Sequence, residues 1–254
     1  MDESAYGYWL PPVASAHGPA IDHLLLLLHI FMAVIFLGWS AFFIFCLIKF
    51  RARKNHSAQH ALPRASFVKY AELGIVAIEL LLLFGVSTPI WWNYLKPPES
   101  DPNALHIRVV AEQYAWNIRY AGRDGKFGKA SIDAMSADNP LGLDADDADG
   151  KDDIVTINQL HLPAGRSVVI DLTAKDVIHG FNIPALRVKH DAVPGQLSSI
   201  WFTPTRPGHY ELACAQLCGL GHYRMRGDVF IDTPEEFDKW VVDNSPAPAA
   251  PEQR

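Results

Sequence analysis

The sequence predicts a membrane protein in two parts, a two-helix transmembrane hairpin followed by an all-β domain. Two long apolar runs lie in the first 95 residues, with a cluster of basic residues between them. After these runs, short segments rich in β-branched and aromatic residues alternate with Pro-Gly turn signals. At 254 residues and a mean hydropathy of +0.04, the chain has room for one sizeable domain besides the hairpin.

Composition excludes two classes of protein. The formal net charge is −6, whereas phosphate binding requires a clustered basic face, so no nucleic-acid partner is expected. Three cysteines are too few for a disulfide-rich scaffold.

The first membrane span is predicted at residues 24–48, which contain no charged residue over 25 positions. At about 1.5 Å per residue, such a helix crosses a roughly 30 Å hydrocarbon core with some tilt. A cleaved signal peptide is the alternative, but signal peptides begin with basic residues, and residues 1–22 contain neither Lys nor Arg. We therefore expect residues 1–22 to be an external N-terminal segment and residues 23–96 to form the hairpin.

The second span is predicted at residues 73–95 and ends in aromatic residues of the kind found at membrane interfaces. The loop between the spans, residues 49–69, has six basic residues and no acidic one. The positive-inside rule places such a loop in the cytoplasm. We expect a multi-pass protein of the inner (plasma) membrane, with both termini and the β domain on the periplasmic or external side.

The β domain is predicted over residues 97–244, after a Pro97-Pro98 linker. Short strands of this kind are expected to assemble into a small β-sandwich or β-barrel. A capping box beginning at Thr233 predicts a short helix to about residue 243, and residues 245–254 read as a disordered tail. The predicted strands are Ile107–Tyr120, Val168–Thr173, Ser198–Phe202, His209–Ala213 and Asp228–Ile231.

An acidic loop is predicted at residues 124–153, which contain nine Asp and three Lys. Two interpretations stay open, a solvated loop and an electrostatic docking surface for a basic partner. The docking interpretation assigns the surface to Asp146, Asp147, Asp152 and Asp153.

The residues that carry chemistry lie between Cys214 and Met225. Two cysteines, a histidine and a methionine within twelve residues form a set of soft donors, which selects copper or zinc over magnesium or calcium. Gly219 and Gly221 favour a loop over a helix. The remaining donor is expected to be a distant histidine, and His179 is the best placed.

Three other arrangements compete with a two-copper site. A disulfide between Cys214 and Cys218 would leave His222 and Met225 without a role. Structural zinc is closed by four Cys or His donors, and Met suits it poorly. A mononuclear blue-copper site uses one Cys, so the second would be unexplained, whereas two bridging thiolates fit two copper ions better.

These residues resemble subunit II of the haem-copper cytochrome c oxidases. The resemblance covers nearly the whole chain: the two spans, the aromatic segment after the linker, the stretch from Val177 to Gly195 and the C-x3-C-x3-H-x2-M loop. It implies a cupredoxin-like Greek-key domain holding a dinuclear copper centre, CuA. Cys214 and Cys218 would bridge the coppers, His179 and His222 would each bind one, and Met225 and the backbone carbonyl of Gln216 would be weak axial ligands.

The resemblance also implies a function. The centre would accept electrons from cytochrome c or an equivalent donor and pass them to haem in subunit I, where oxygen is reduced to water and protons are pumped. The chain would thus be an oxidoreductase subunit that contacts subunits I and III and does no oxygen chemistry itself.

The chain departs from the family pattern at three places. Gln216 replaces a Glu whose side chain binds magnesium, and a neutral amide is a weaker ligand for a hard cation, which argues against that site. Tyr114 replaces the tryptophan that receives electrons, so Tyr114 and Trp116 are both candidates for this role, with β-sheet packing as the alternative. Glu72 and Glu79 are candidates for a proton-channel carboxylate. They share a helix face, and the deeper Glu79 should point toward a partner helix.

Two other functions were weighed. A membrane-tethered copper-binding module would have no oxidase role and no stable membrane partner. The quinol-oxidase branch of the family lacks the copper ligands, which are all present here.

Overall fold

The computed structural model describes residues 10–52, 66–95, 101–136 and 139–246. The chain divides into two units, one made of residues 20–93 and the other of residues 1–19 together with 94–254. The predicted linker at Pro97-Pro98, most of the basic loop and most of the C-terminal tail lie outside the described residues.

The first unit is helical. Helix α1 runs over Gly18–Lys49, and the second helical stretch consists of α2 (Ser66–Leu80), a π-helical segment (Leu81–Ser87) and α3 (Thr88–Leu95). Gly18–Lys49 and Val68–Asn93 are both long and apolar enough to cross a membrane, with mean hydropathies of 2.5 and 2.1. Their large apolar side chains are exposed in the isolated chain, as lipid-facing residues would be.

The π-helical segment has a local cause that the sequence analysis did not anticipate. Pro89 has no backbone N–H, so it cannot complete the regular i to i−4 ladder. The Thr88 hydroxyl and backbone N–H both donate to the Leu83 carbonyl, five residues earlier. The helix therefore widens by one residue just before the proline.

The second unit is a β-sandwich of two five-stranded sheets. In one sheet the strand order is β3-β2-β1-β5-β8, and in the other it is β4-β10-β9-β6-β7. The strands are β1 (Leu105–Glu112), β2 (Ala115–Tyr120), β3 (Ile154–Ile157), β4 (Gln159–Pro163), β5 (Val168–Ala174), β6 (His179–Ile183), β7 (Val188–Ala192), β8 (Ser198–Phe202), β9 (Gly208–Cys214) and β10 (Arg226–Asp232).

One predicted strand is in fact a hairpin. The sequence analysis treated Ile107–Tyr120 as a single segment, but the chain reverses at Gln113 and Tyr114, and β1 pairs antiparallel with β2. Neither turn residue is Gly or Pro, so the usual turn signal is absent. This reversal places the Gln113-Tyr114 turn at one end of the sandwich.

Alternate residues of the facing strands fill the core. Trp116, Phe181 and Phe202 are the largest side chains that are fully buried between the sheets. Burying an aromatic or aliphatic side chain contributes about 1.5–3 kcal/mol, so this core holds the strand ends in fixed positions.

The C-terminal helix forms as predicted. Helix α4 covers Pro234–Asn244, and a capping box joins Thr233 and Glu236. Phe237 is buried against the sandwich, and Trp240 packs edge-on against Tyr120 with ring centroids 5.0 Å apart.

Two of the four aspartates assigned to the acidic docking surface have structural roles instead. Asp153, assigned above to that surface, is instead buried in an ion pair with Arg119. Asp152 accepts backbone N–H groups of Arg123 and Asp124. The loop follows the end of β2 away from the Gln113-Tyr114 turn, about 20 Å along the strand at 3.3 Å per residue.

Candidate metal centre

Strand pairing brings the predicted donors to one end of the sandwich. His179 is the first residue of β6 and Cys214 the last of β9, and these strands pair with Phe181 opposite Cys214. Met225 lies just before β10, and the Cys214 N–H donates to its carbonyl across 3.0 Å. The segment between Cys214 and Met225 is therefore the loop that joins two antiparallel strands, as expected.

The two thiols of this loop lie side by side. The Sγ atoms of Cys214 and Cys218 are 3.6 Å apart, much farther than the roughly 2.05 Å of a disulfide. Both cysteines are free, Cys218 being buried and Cys214 partly buried. Each sulfur and one ring nitrogen of His179 lie within 4.8 Å of one another, close enough to share a metal.

Both imidazoles turn the same nitrogen toward the sulfurs. The Nδ1 of His179, a fully buried residue, is 3.1 Å from the Met225 Sδ atom. The Nδ1 of His222 is 3.6 Å from the Cys218 Sγ atom. A neutral imidazole binds a metal through its unprotonated nitrogen, so this orientation suits coordination.

The weaker donors complete the group. The Met225 Sδ atom is 3.8 Å from the Cys218 Sγ atom, and the Cys214 thiol donates to the Gln216 carbonyl across 3.2 Å. Every one of the six predicted donors is thus within 3.8 Å of another. They are His179, Cys214, Gln216, Cys218, His222 and Met225.

The chemistry of this set fits copper. Thiolate, imidazole and thioether are soft or intermediate donors, and no carboxylate lies among them. Burial, together with the adjacent Cys214 thiol, raises the pKa of Cys218 to about 11. A thiol with this pKa keeps its proton at neutral pH, so metal binding must displace the proton.

Comparison with known proteins covers the region that contains this donor set. The family model described as "Cytochrome C oxidase subunit II, periplasmic domain" matches residues 105–230, which include all six donors. The alternative cytochrome c oxidase subunit 2 of Bradyrhizobium diazoefficiens is 30% identical over 92% of this chain and 83% of its own length. The chain belongs to the cytochrome c oxidase subunit 2 family. Family membership implies a copper centre and an inner-membrane protein with a periplasmic domain.

Two further similar proteins are a second oxidase subunit and a solved periplasmic domain. Cytochrome c oxidase subunit 2 of Synechocystis is 30% identical over 94% of this chain and 76% of its own length. Among solved structures, the periplasmic domain of subunit II of cytochrome oxidase from Bradyrhizobium japonicum is 29% identical, with a TM-score of 0.42, and covers 58% of this chain and 95% of its own.

A carboxylate that the sequence analysis missed orients His179. Asp176 accepts a hydrogen bond from His179 Nε2 at 2.8 Å and from the Gln113 and Val177 N–H groups at 2.7 Å. Burial raises the pKa of Asp176, but these hydrogen bonds outweigh it and hold the pKa below its usual value. With Nε2 donating to Asp176, the Nδ1 lone pair faces the sulfurs, as in many metal-bound histidines.

The Gln113-Tyr114 turn contacts and holds the loop from Cys214 to Met225 (the copper loop). The Gln113 side-chain amide donates to the Cys218 carbonyl at 2.6 Å. Tyr114 packs on the loop glycines: a Cβ atom on Gly219 would lie 2.6 Å from the Tyr114 hydroxyl, and one on Gly221 would lie 2.6 Å from its ring. These contacts, with φ of +133° at Gly219, explain why the loop has glycines at both positions.

The two aromatic candidates for electron arrival lie at different depths. Trp116 is fully buried beneath His179, with ring centroids 6.2 Å apart. Tyr114 is partly exposed above the loop, where the Arg224 guanidinium lies 5.7 Å from its ring centroid. Of the two, only Tyr114 reaches the surface.

The proton-channel candidates lie in the helical unit. Glu72 and Glu79 are seven residues apart in α2, before the π-helical segment begins, so both occupy one face of a regular helix.

Proposed function

We propose that this chain is the electron-accepting subunit of a respiratory cytochrome c oxidase. In this proposal it takes electrons from cytochrome c at a dinuclear copper centre and delivers them to haem in subunit I, where oxygen is reduced to water with proton pumping. The observation that carries the proposal is the convergence of four further donors, two imidazoles, a thioether and a backbone carbonyl, on two thiols that lie 3.6 Å apart.

Two thiolates, two imidazoles and weak axial donors would let a pair of copper ions share one electron between them. Cys214, Cys218, His179 and His222 would hold the ions, with Met225 and the Gln216 carbonyl as weaker donors. A mononuclear blue-copper site uses one Cys, so it would leave the second thiol unexplained.

The surrounding residues serve rapid electron transfer by holding the donors still. His179 is tied to Asp176, and Cys218 is tied to Gln113. His179, Cys218 and Met225 are buried, which keeps water from the sulfurs. A site whose ligands move little between redox states has a small reorganisation cost, so one-electron exchange is fast.

Electrons would arrive through Tyr114 and not through Trp116. Tyr114 lies at the surface and touches the loop glycines between Cys218 and His222. Trp116 is enclosed by the core and would serve to pack His179 and Phe181.

The helices would cross the inner membrane with the basic loop in the cytoplasm and both termini outside. Subunits I and III would cover their exposed apolar faces. Within the membrane, Glu79 would face subunit I, since a carboxylate at that depth requires protein or water around it.

Copper loading of the full chain in detergent tests this proposal. We expect two coppers per chain and an electron paramagnetic resonance spectrum in which one unpaired electron couples equally to both nuclei. Cys218→Ser should abolish this spectrum because it removes one bridging thiolate. Cys46→Ser is the matched control, since Cys46 lies in α1, and it should leave the spectrum unchanged.

The opposite result is equally informative. One copper with a blue or colourless spectrum, or zinc bound in preference to copper, would contradict the two-copper assignment. The chain would then be a membrane-tethered metal-binding module.

A further inference from the structure

Gln216, in the middle of the copper loop, makes two separate contacts. Its backbone carbonyl accepts the Cys214 thiol at 3.2 Å, and its side-chain amide donates to a carboxylate oxygen of Asp191 at 2.9 Å. Asp191 lies in β7, directly opposite Gly180 of β6 in the strand register. One residue thus links the copper loop to the edge strand of the sheet.

The backbone immediately before the Gln216 carbonyl is held by β6. The Ala215 N–H donates to the Gly180 carbonyl at 2.9 Å, and a Cβ atom at Gly180 would lie 2.9 Å from the Gln216 nitrogen. Because both sides are fixed, the Gln216 carbonyl has little freedom relative to the Cys214 sulfur. The Asp191 contact is the one among these that anchors the side chain of Gln216 itself.

The residue types are specific to this contact. The Gln216 amide can donate a hydrogen bond, whereas an ionised carboxylate such as that of Asp191 can only accept one. A Glu at position 216 would put two carboxylates at hydrogen-bond distance with no donor between them, which is repulsive. Gln216 therefore has a positive role in this chain and is more than a missing magnesium ligand.

We propose that Asp191 and Gln216 form a positioning pair that sets the placement of the Gln216 carbonyl against Cys214 and thereby tunes the copper centre. The proposal rests on the copper function proposed above. Weak axial donors adjust the reduction potential of copper–thiolate sites. Residues behind the ligands typically change metal affinity about 10–100-fold when removed.

The test uses the full chain in detergent with Cys46→Ser as background. Asp191→Ala should free the loop, so the copper hyperfine pattern should change, the reduction potential should rise, and copper should be lost to a chelator about tenfold faster or more. Asp191→Asn still accepts from Gln216 and should change these quantities less. Gln216→Glu breaks the same contact and should lose copper to the chelator about as fast as Asp191→Ala, and the double variant Asp191→Asn with Gln216→Glu should recover toward wild type, because the amide and the carboxylate have exchanged places.

Asp171→Ala is the matched control. Asp171 accepts a hydrogen bond from Ser199 at 2.6 Å on the other sheet, so its removal breaks a similar contact away from the copper loop. It should leave the hyperfine pattern and the potential unchanged. If Asp191→Ala does the same, or if the exchanged pair recovers nothing, the positioning role is overturned.

A copper-free measurement separates this proposal from the proposed function. In the metal-free chain, Asp191→Ala should increase several-fold the rate at which Cys214 reacts with a thiol reagent, because the loop is no longer tied to β7. A wild-type chain without a two-copper spectrum would reject the proposed function, and the labelling rates would still decide the role of Asp191. Equal labelling rates in the variant and wild type would reject the positioning role by itself.

Discussion

Asp153 and Arg119 form an ion pair beneath the acidic loop, with side chains only 1% and 3% exposed. Asp153 also accepts the Gly128 N–H at 3.0 Å, and Arg119 donates to the Gly128 carbonyl at 2.7 Å. The pair therefore fastens the loop to β2. Removing one partner of a buried pair leaves an uncompensated charge, which is far more costly than the pair's own net contribution.

We predict that Asp153→Asn destabilises the β domain by about 3–5 kcal/mol. For a domain of this size that lowers the thermal midpoint by about 6–20 °C. Thermal unfolding of the full chain, followed by near-ultraviolet circular dichroism, measures the shift. Asp146→Asn, at an exposed position of the same loop, is the control and should change stability by less than about 0.5 kcal/mol. Equal effects of the two variants would show that the buried pair has no special role.

At the level of single residues, the sequence predicted the metal donors better than the residues that hold those donors in place. Four of the five proposed side-chain donors lie within one short loop, so their spacing alone indicated a soft-metal site. Asp191 and Gln113 contact that loop and Asp176 contacts His179, and no metal-ligand spacing in the sequence assigns these three residues a role. Asp153 was predicted to be exposed but is buried. Its local sequence does not differ from that of the exposed aspartates beside it, so the sequence could not indicate its burial.

At the scale of elements, the close approach between β6 and the copper loop makes Gly180 sensitive to substitution. Gly180 lies so near the loop that an added Cβ would be 2.9 Å from both the Ala215 carbonyl carbon and the Gln216 nitrogen. Both atoms are backbone, so the loop itself would have to move.

We predict that Gly180→Ala costs about 1–3 kcal/mol, the usual range for overpacking, and that the chain retains less copper. Copper content and the rate of copper release to a chelator measure the effect. Gly74→Ala in α2 is the matched control, because a Cβ there meets nothing within 4 Å. Normal copper retention in Gly180→Ala would show that the loop can shift without disturbing the ligands.

The elements that the sequence predicted best are those with strong local signals. The capping box at Thr233 and the uncharged runs of both spans are examples. The hairpin at Gln113 and Tyr114 was missed because its turn is stabilised by distant groups, namely Asp176 and the copper loop. The π-helical segment was missed because its cause, the contact between Thr88 and Leu83, is a matter of geometry and not of hydrophobic pattern.

At the scale of the whole molecule, the N-terminal segment belongs to the β unit although 74 residues, 20–93, separate it in sequence from the rest of that unit. Ala14 is fully buried and exchanges backbone hydrogen bonds with Ala185 and Thr205 at 2.8 Å. The Ser15 hydroxyl donates to the Leu186 carbonyl at 2.6 Å. A fragment that begins after the linker would lack these contacts, so the full chain is the proper material for stability measurements.

Attachment of this segment should depend on pH through His17. Burial lowers the pKa of His17 from 6.5 to about 4, so the folded state favours the neutral ring. An unfolded chain binds the proton near pH 6.5, and stability is therefore full above that pH and is lost as the pH falls from 6.5 toward 4. Allowing for solvent screening at a half-buried position, we predict a loss of about 1–2 kcal/mol over this window. Thermal midpoints of the metal-free chain between pH 4 and 7.5 measure it, and His17→Gln should flatten that part of the profile, because Gln carries no titrating group. A profile as steep in His17→Gln as in the wild type would assign the pH dependence to other residues.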